Sequence, residues 1–396
     1  MRLKQSQYEK LILFLSFLNC VKLFFYGNKI IDSISLGITA AALFFIFFNT
    51  NLIYSRRVVF LCCCVLCSLL VTVVINGGVG AFANYAILML TSMLFVSYGI
   101  SKHAMNKLFV FNGLILLSFL FTLAVVKVNS FYFFTTITGA SINSNMVGIV
   151  ALLAFYFLVQ PCFAIKNRIC KALGVISVVG SCFYFILISE CRSVLFSVSI
   201  FIILNALVKQ QIDSKTFYRV VSLSQIFSLL FVACYLILYN CSININLDFF
   251  GKTFFSGRQT VWQSVFDLFL KHPLIGSGGK EALKSVNGTV TTSAHNTLLS
   301  IIYIFGAIPT CCFFSFWGKK YDKAQTNPRR VNQIIVLSVV VITFLESFYM
   351  ESYLVFLSVL FFLPELKCRC KLEQENNVKL RSSYDTENNS LLLVRW

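Results

Sequence analysis

The sequence predicts an all-α integral membrane protein with about twelve transmembrane helices and one large outer loop between helices 9 and 10. Three observations predict it. The chain of 396 residues is 58% hydrophobic and only 12% charged, a composition outside the range of soluble domains. Apolar runs long enough to cross a bilayer recur along most of it. Those runs lack the alternation of a barrel strand, so helices satisfy the backbone in lipid.

The predicted spans are 11–25, 30–48, 58–75, 81–100, 108–126, 145–160, 172–188, 193–208, 220–239, 296–316, 331–346 and 352–363. The first follows Arg2, Lys4 and Lys10 and resembles a secretory leader. No small-residue cleavage site follows it, so it is read as an uncleaved span. Loop charge tests the set. With the N-terminus inside, 24 of the 33 Lys and Arg residues fall on the inner side and 8 on the outer, with Lys22 inside a span. Both termini are therefore expected in the cytoplasm. The last pair of spans is the shortest, interrupted by Glu346 and Glu351. The organisation is a polytopic domain over 1–363, including the outer loop 240–295, and a polar tail over 364–396 that is expected to be mostly disordered.

The formal net charge of +18 does not point to nucleic acid, because the basic residues are distributed by topology. Cys62, Cys63, Cys64, Cys67, Cys311 and Cys312 fall in or beside apolar runs and read as small hydrophobes. Cys368 and Cys370 are too few for a zinc site. No paired carboxylates mark a metal site in the large loop.

That loop holds the residues that chemistry would use. Ser256 and Gln259 have capping-box spacing, which predicts a helix start. Val261, Trp262, Val265, Phe266 and Phe269 then recur at helical spacing up to Pro273, an amphipathic helix suited to the headgroup layer. Arg258 falls in its first turn, where free N–H groups and the dipole favour an anion; the alternative is an arginine that snorkels to lipid phosphates. Arg192 follows Ser189-Glu190-Cys191 at an outer turn and works against the inner bias, as a second anion contact or as an ion pair with Glu190. His295 stands where the loop re-enters the membrane. It is a group suited to moving protons near neutral pH, or an interfacial histidine held by hydrogen bonds. His272 reads as a helix-end residue, and His103 on the inner side is given no role. Gly276-Ser277-Gly278-Gly279-Lys280 lacks phosphate-loop spacing and reads as a tight turn.

Ser256-Gly257-Arg258, Trp262, Pro273-Leu274-Ile275-Gly276-Ser277-Gly278 and Ala294-His295-Asn296, followed by a span with Gly306, resemble the O-antigen ligase and polymerase superfamily. Arg192 resembles that family's Ser-Arg element, with Cys191 in place of the serine. The resemblance implies a bacterial inner-membrane glycosyltransferase with its catalytic loop in the periplasm. The donor would be a glycan on undecaprenyl diphosphate and the acceptor a lipid-linked glycan or lipid A–core, with a chain-length regulator as a possible partner. His295, Arg258 and Arg192 would be catalytic. Ser256, Gly257, Trp262, Gly276, Gly278 and Asn296 would contact substrate. Inverting, metal-independent transfer without a cofactor is implied. A polysaccharide polymerase is the favoured reading; an O-antigen ligase and a lipid-linked oligosaccharide flippase are the alternatives.

Overall fold

The computed structural model describes residues 4–49, 59–60, 63–64, 67, 87, 91, 99–123, 133–136, 138–241, 248–249, 252–253, 258–278, 283–284, 290–291, 294–308, 310–311, 330–344, 356–358 and 360–362. The predicted spans at 58–75 and 81–100, the ends of the last spans and the tail lie largely or wholly outside them. So do Ser256 and Gly257.

The described chain is a multi-pass helical membrane protein. In order it forms α1 (Gln5–Val21), a 3-10 turn (Lys22–Phe25), α2 (Lys29–Phe48), α3 (Lys102–Thr122), a hairpin of β1 (Phe133–Thr135) and β2 (Ser141–Asn143), α4 (Ser144–Phe163), α5 (Arg168–Ser189), α6 (Arg192–Leu207) and α7 (Ser214–Asn240). The loop region adds two short antiparallel pairs, β3 (Asp248–Phe249) with β4 (Lys252–Thr253) and β5 (Leu283–Lys284) with β6 (Val290–Thr291). Helix α8 (Arg258–Lys271) lies between them in the chain, and α9 (Thr297–Phe305) and α10 (Arg330–Ile342) follow. Among the described residues, five helices are long and apolar enough to cross a membrane: α2, α3, α4, α5 and α7.

The helices begin where the chain offers caps. Asn28, Ser101, Asn143, Asn167 and Asp213 each accept from backbone N–H groups at the starts of α2, α3, α4, α5 and α7, satisfying donors the helix leaves open. The Asp213 carboxyl is held below the usual carboxylate range, chiefly by its bond with Thr216.

Helix α4 is the centre of the bundle, with 78% of its apolar window buried. In lipid, helices gain little from burying apolar surface against one another, so small residues and polar bonds join them. Gly113 of α3 accepts Leu158 of α4 where a β-carbon would not fit, and Gly148 of α4 does the same for Cys191 and Ser189. Ser16 of α1 donates to Asn112 of α3 at 2.6 Å, and Asn19 donates to Thr39 of α2 at 3.2 Å. Lys22, counted above as a charge inside a span, is 5% exposed and paired with Asp32 at 3.1 Å.

Interhelical bonds also order the ends. The starts of α1 and α3 meet where Ser101 N–H donates to Glu9 (2.7 Å). The starts of α3 and α10 meet at Asn332 and Met105. Gln333 pairs with the backbone of Ile212 just before α7. Lys102, Lys209, Lys215 and Arg330 all belong to this end, called the basic end below. At the far end, Thr138 donates to the Tyr26 carbonyl (3.1 Å).

Two expectations change. The apolar run 296–316 is not one straight helix: α9 stops at Phe305, and Gly306 takes φ +78. Helix α8 is helical from Arg258, its first described residue, but its apolar stripe packs on protein instead of lying among headgroups. Val261, Trp262 and Val265 are buried.

Candidate functional site

Helix α8 is set by its tryptophan. Trp262 is completely buried, with Tyr235 and Phe231 of α7 edge-on at 5.6 and 6.3 Å between centroids. Its Nε1–H donates to the carbonyl of Ala294 at 2.8 Å. A buried indole needs such a partner, and this partner is the residue before His295. Arg258, half-buried, stands one turn before Trp262 on the same face of α8. A single bond thus ties the first turn of α8 to the backbone beside His295.

His295 is held on its other side by Asn296. The Asn296 Oδ1 accepts from Leu299 N–H at 3.0 Å and caps α9. Its Nδ2 donates to Ser228 Oγ of α7 at 2.8 Å and to the Phe344 carbonyl at 3.0 Å. The next residue, Thr297, donates its N–H to the Thr343 carbonyl at 2.9 Å. His295 itself has φ +47, an uncommon backbone for a residue with a β-carbon. That conformation persists because the bonds on both sides over-determine it.

Arg192 reaches the same end of the molecule along α6. Helices α6 and α10 run antiparallel. Arg330 donates to the Asn205 carbonyl at 2.6 Å at the basic end, and Ser197 donates to the Ser338 carbonyl at 2.8 Å further along. Both bonds give one register. Continued by about five residues, or roughly 7.5 Å of rise, it brings Arg192 level with Thr343. Thr343 is the residue that holds Thr297. The backbones of Arg192 and His295 therefore share one level at the far end of α6 and α10.

That level is recessed. Helix α6 has 16 residues, so it spans roughly 24 Å against a hydrocarbon core of about 30 Å. Asn296 bonds α7 at Ser228, far below the end of α7 at Asn240. Arg192 opens α6 directly after a turn in which Glu190 has φ +51 and buried Cys191 is the N-cap. Among the described residues, Glu190 and His295 are the two non-glycine residues with positive φ. Each lies within two positions of a predicted catalytic residue or is one.

The glycines have a different place. The segment Pro273–Gly278 lies along the end of α9. Ser277 and Gly278 N–H donate to the Tyr303 and Ile304 carbonyls at 2.8 and 3.0 Å. Ala307 and Ile308 N–H donate to the Pro273 and Leu274 carbonyls at 2.8 and 3.2 Å. Gly276 (φ +80) and Gly306 (φ +78) face each other so closely that a β-carbon on either would overlap the other strand's backbone. The interruption of α9 is thus satisfied by backbone, as apolar surroundings require.

Of the residues expected to contact substrate, Trp262, Gly276, Gly278 and Asn296 are buried and joined by these bonds within the protein. Arg192, Arg258 and His295 are the half-buried ones. Sequence reasoning missed Ser228, Thr343 and Phe344, which hold the His295 turn. Two of them act through backbone carbonyls, which no residue type betrays.

No curated protein and no solved structure matches the chain. A family model does, the one described as O-antigen ligase, over residues 175–314. This segment, about a third of the chain, contains Arg192, Arg258 and His295, and over it the chain is similar to that family.

Proposed function

We propose that the protein transfers a glycan from a polyprenyl diphosphate carrier to an acceptor hydroxyl at the far, extracytoplasmic face of the membrane. Arg192 and Arg258 grip the diphosphate. They stabilise the charge that develops as the bond between C1 of the sugar and the phosphate oxygen breaks. His295 takes the proton of the acceptor hydroxyl as its oxygen bonds C1 from the opposite side, inverting the centre. The lipid diphosphate leaves with the electron pair. The bond broken supplies the driving force, so the step draws on neither ATP nor a metal.

One observation supports this reading above the others. The two arginines and the histidine come from three separate stretches of the family-matched segment; Trp262 of the Arg258 helix bonds the residue before His295, and the α6–α10 register sets Arg192 level with Thr343, which holds the residue after Asn296. The family description favours lipid A–core as the acceptor, the ligase reading, over the polymerase reading that the sequence suggested.

Deleting the gene separates the two by product. A ligase leaves bare lipid A–core on the surface, restored to full glycan by the wild-type gene and not by His295→Ala. Single repeat units on the core would instead identify a polymerase. Unchanged surface glycan in the deletion strain would refute both.

A further inference from the structure

A second site lies away from the loop, at the basic end, in the groove between α1 and α3. It is a cavity of about 600 Å³, within the size range of small-molecule pockets. Its lining divides by chemistry. His103, Asn106 and Lys107 stand at one end, and Leu13, Phe111 and Leu114 line the rest. Phe111 and Leu114 are 45% and 52% exposed, and Phe17 of α1 packs on Phe111 at 5.6 Å between centroids, continuing the apolar wall.

The dimensions point to lipid. From His103 to Leu114 the helix rises roughly 16 Å, close to half of the ~30 Å hydrocarbon core. Of that rise the apolar part beyond Lys107 takes roughly 10 Å, about two-thirds of one leaflet's hydrocarbon, with the polar part at its outer end. Charge settles which headgroup. Lys10 and Lys102 add positive charge near the mouth, being exposed next to it in the chain. The nearby acid, Glu9, has its carboxylate occupied by Ser101 N–H at 2.7 Å and Gln5 Nε2 at 3.1 Å. A zwitterionic headgroup would leave this cluster uncompensated.

We propose that one phospholipid with an anionic headgroup occupies this groove from the leaflet at the basic end. Its phosphate sits against Lys107 and His103, and one acyl chain runs along Leu13, Phe111 and Leu114. The site is independent of the transfer reaction proposed above.

Native mass spectrometry of the purified full-length protein tests it. Phosphatidylglycerol and phosphatidylcholine with identical acyl chains are titrated in parallel. The wild type is expected to retain one phosphatidylglycerol at least about fivefold more tightly, the effect of one basic group at a membrane surface. Lys107→Gln lowers that affinity by about fivefold and leaves phosphatidylcholine unchanged. Leu114→Trp, which fills the groove, weakens both lipids. Equal binding of the two lipids by the wild type overturns the proposal, whatever the variants do. So does unchanged binding in both variants, or complete displacement of phosphatidylglycerol by undecaprenyl phosphate at equal concentration.

Discussion

The indole N–H of Trp262 donates to the carbonyl of Ala294 at 2.8 Å, across a sequence separation of 32 residues. This bond couples the helix bearing Arg258 to the turn bearing His295. Trp262→Phe tests it, because phenylalanine still packs between Tyr235 and Phe231 and lacks the donor. The buried Ala294 carbonyl then loses its partner, worth about 1–3 kcal/mol. Glycan transfer per inserted protein molecule is expected to fall, measured as product against immunoblotted protein. Unchanged specific activity would show that the bond does not position the site.

Asn296→Asp is nearly isosteric and separates capping from positioning. The carboxylate still accepts from Leu299 N–H, so α9 keeps its cap. It can no longer donate to Ser228 and to the Phe344 carbonyl, and it places charge against that carbonyl in a buried site. Activity is expected to be lost while α9 remains helical. Wild-type transfer by this variant, assayed in membranes, would show that capping alone suffices.

The interlocked glycines predict a folding defect. Gly276→Ala and Gly306→Ala each push a methyl group into backbone across the contact, at a positive φ that strains alanine by about a further 1–3 kcal/mol. Both are expected to lower the amount of protein in the membrane. Gly37→Ala is the control: it sits in α2 with nothing within 4 Å of the added carbon, and its level should equal or exceed the wild type. Normal levels of all three variants would mean that the Pro273–Gly278 segment does not dock on α9.

Topology follows from the basic end. Reporter enzymes fused after Gly288 and after Lys323 should report opposite sides, the first outside and the second inside. The same side for both would break the assignment of the candidate site to the outer face.

The comparison of sequence and structure has a physical pattern. Spans with uniform apolar runs, such as α2, α4 and α5, were legible from length, whereas the caps Asn28, Asn143 and Asn167 emerged only with the structure. Arg258 in the first turn of α8 was legible from the spacing of the residues after it. The packing of α8 was not. An apolar stripe reads the same whether lipid or α7 covers it, and only the Trp262 bond to Ala294 decides. The break in α9 was equally hidden, since Gly306 sits in an apolar run and its partner Gly276 lies in a different stretch. The level shared by Arg192 and His295 rests on serine and backbone bonds between distant helices, which leave no local period to read.

The most direct measurement is glycan transfer by the purified wild-type protein and His295→Ala in lipid vesicles, with a polyprenyl diphosphate-linked donor and each acceptor supplied separately. The account predicts that the variant inserts and binds donor like the wild type and transfers it about 10²- to 10⁴-fold more slowly, the range for loss of a general base. Transfer by His295→Ala at the wild-type rate would contradict it.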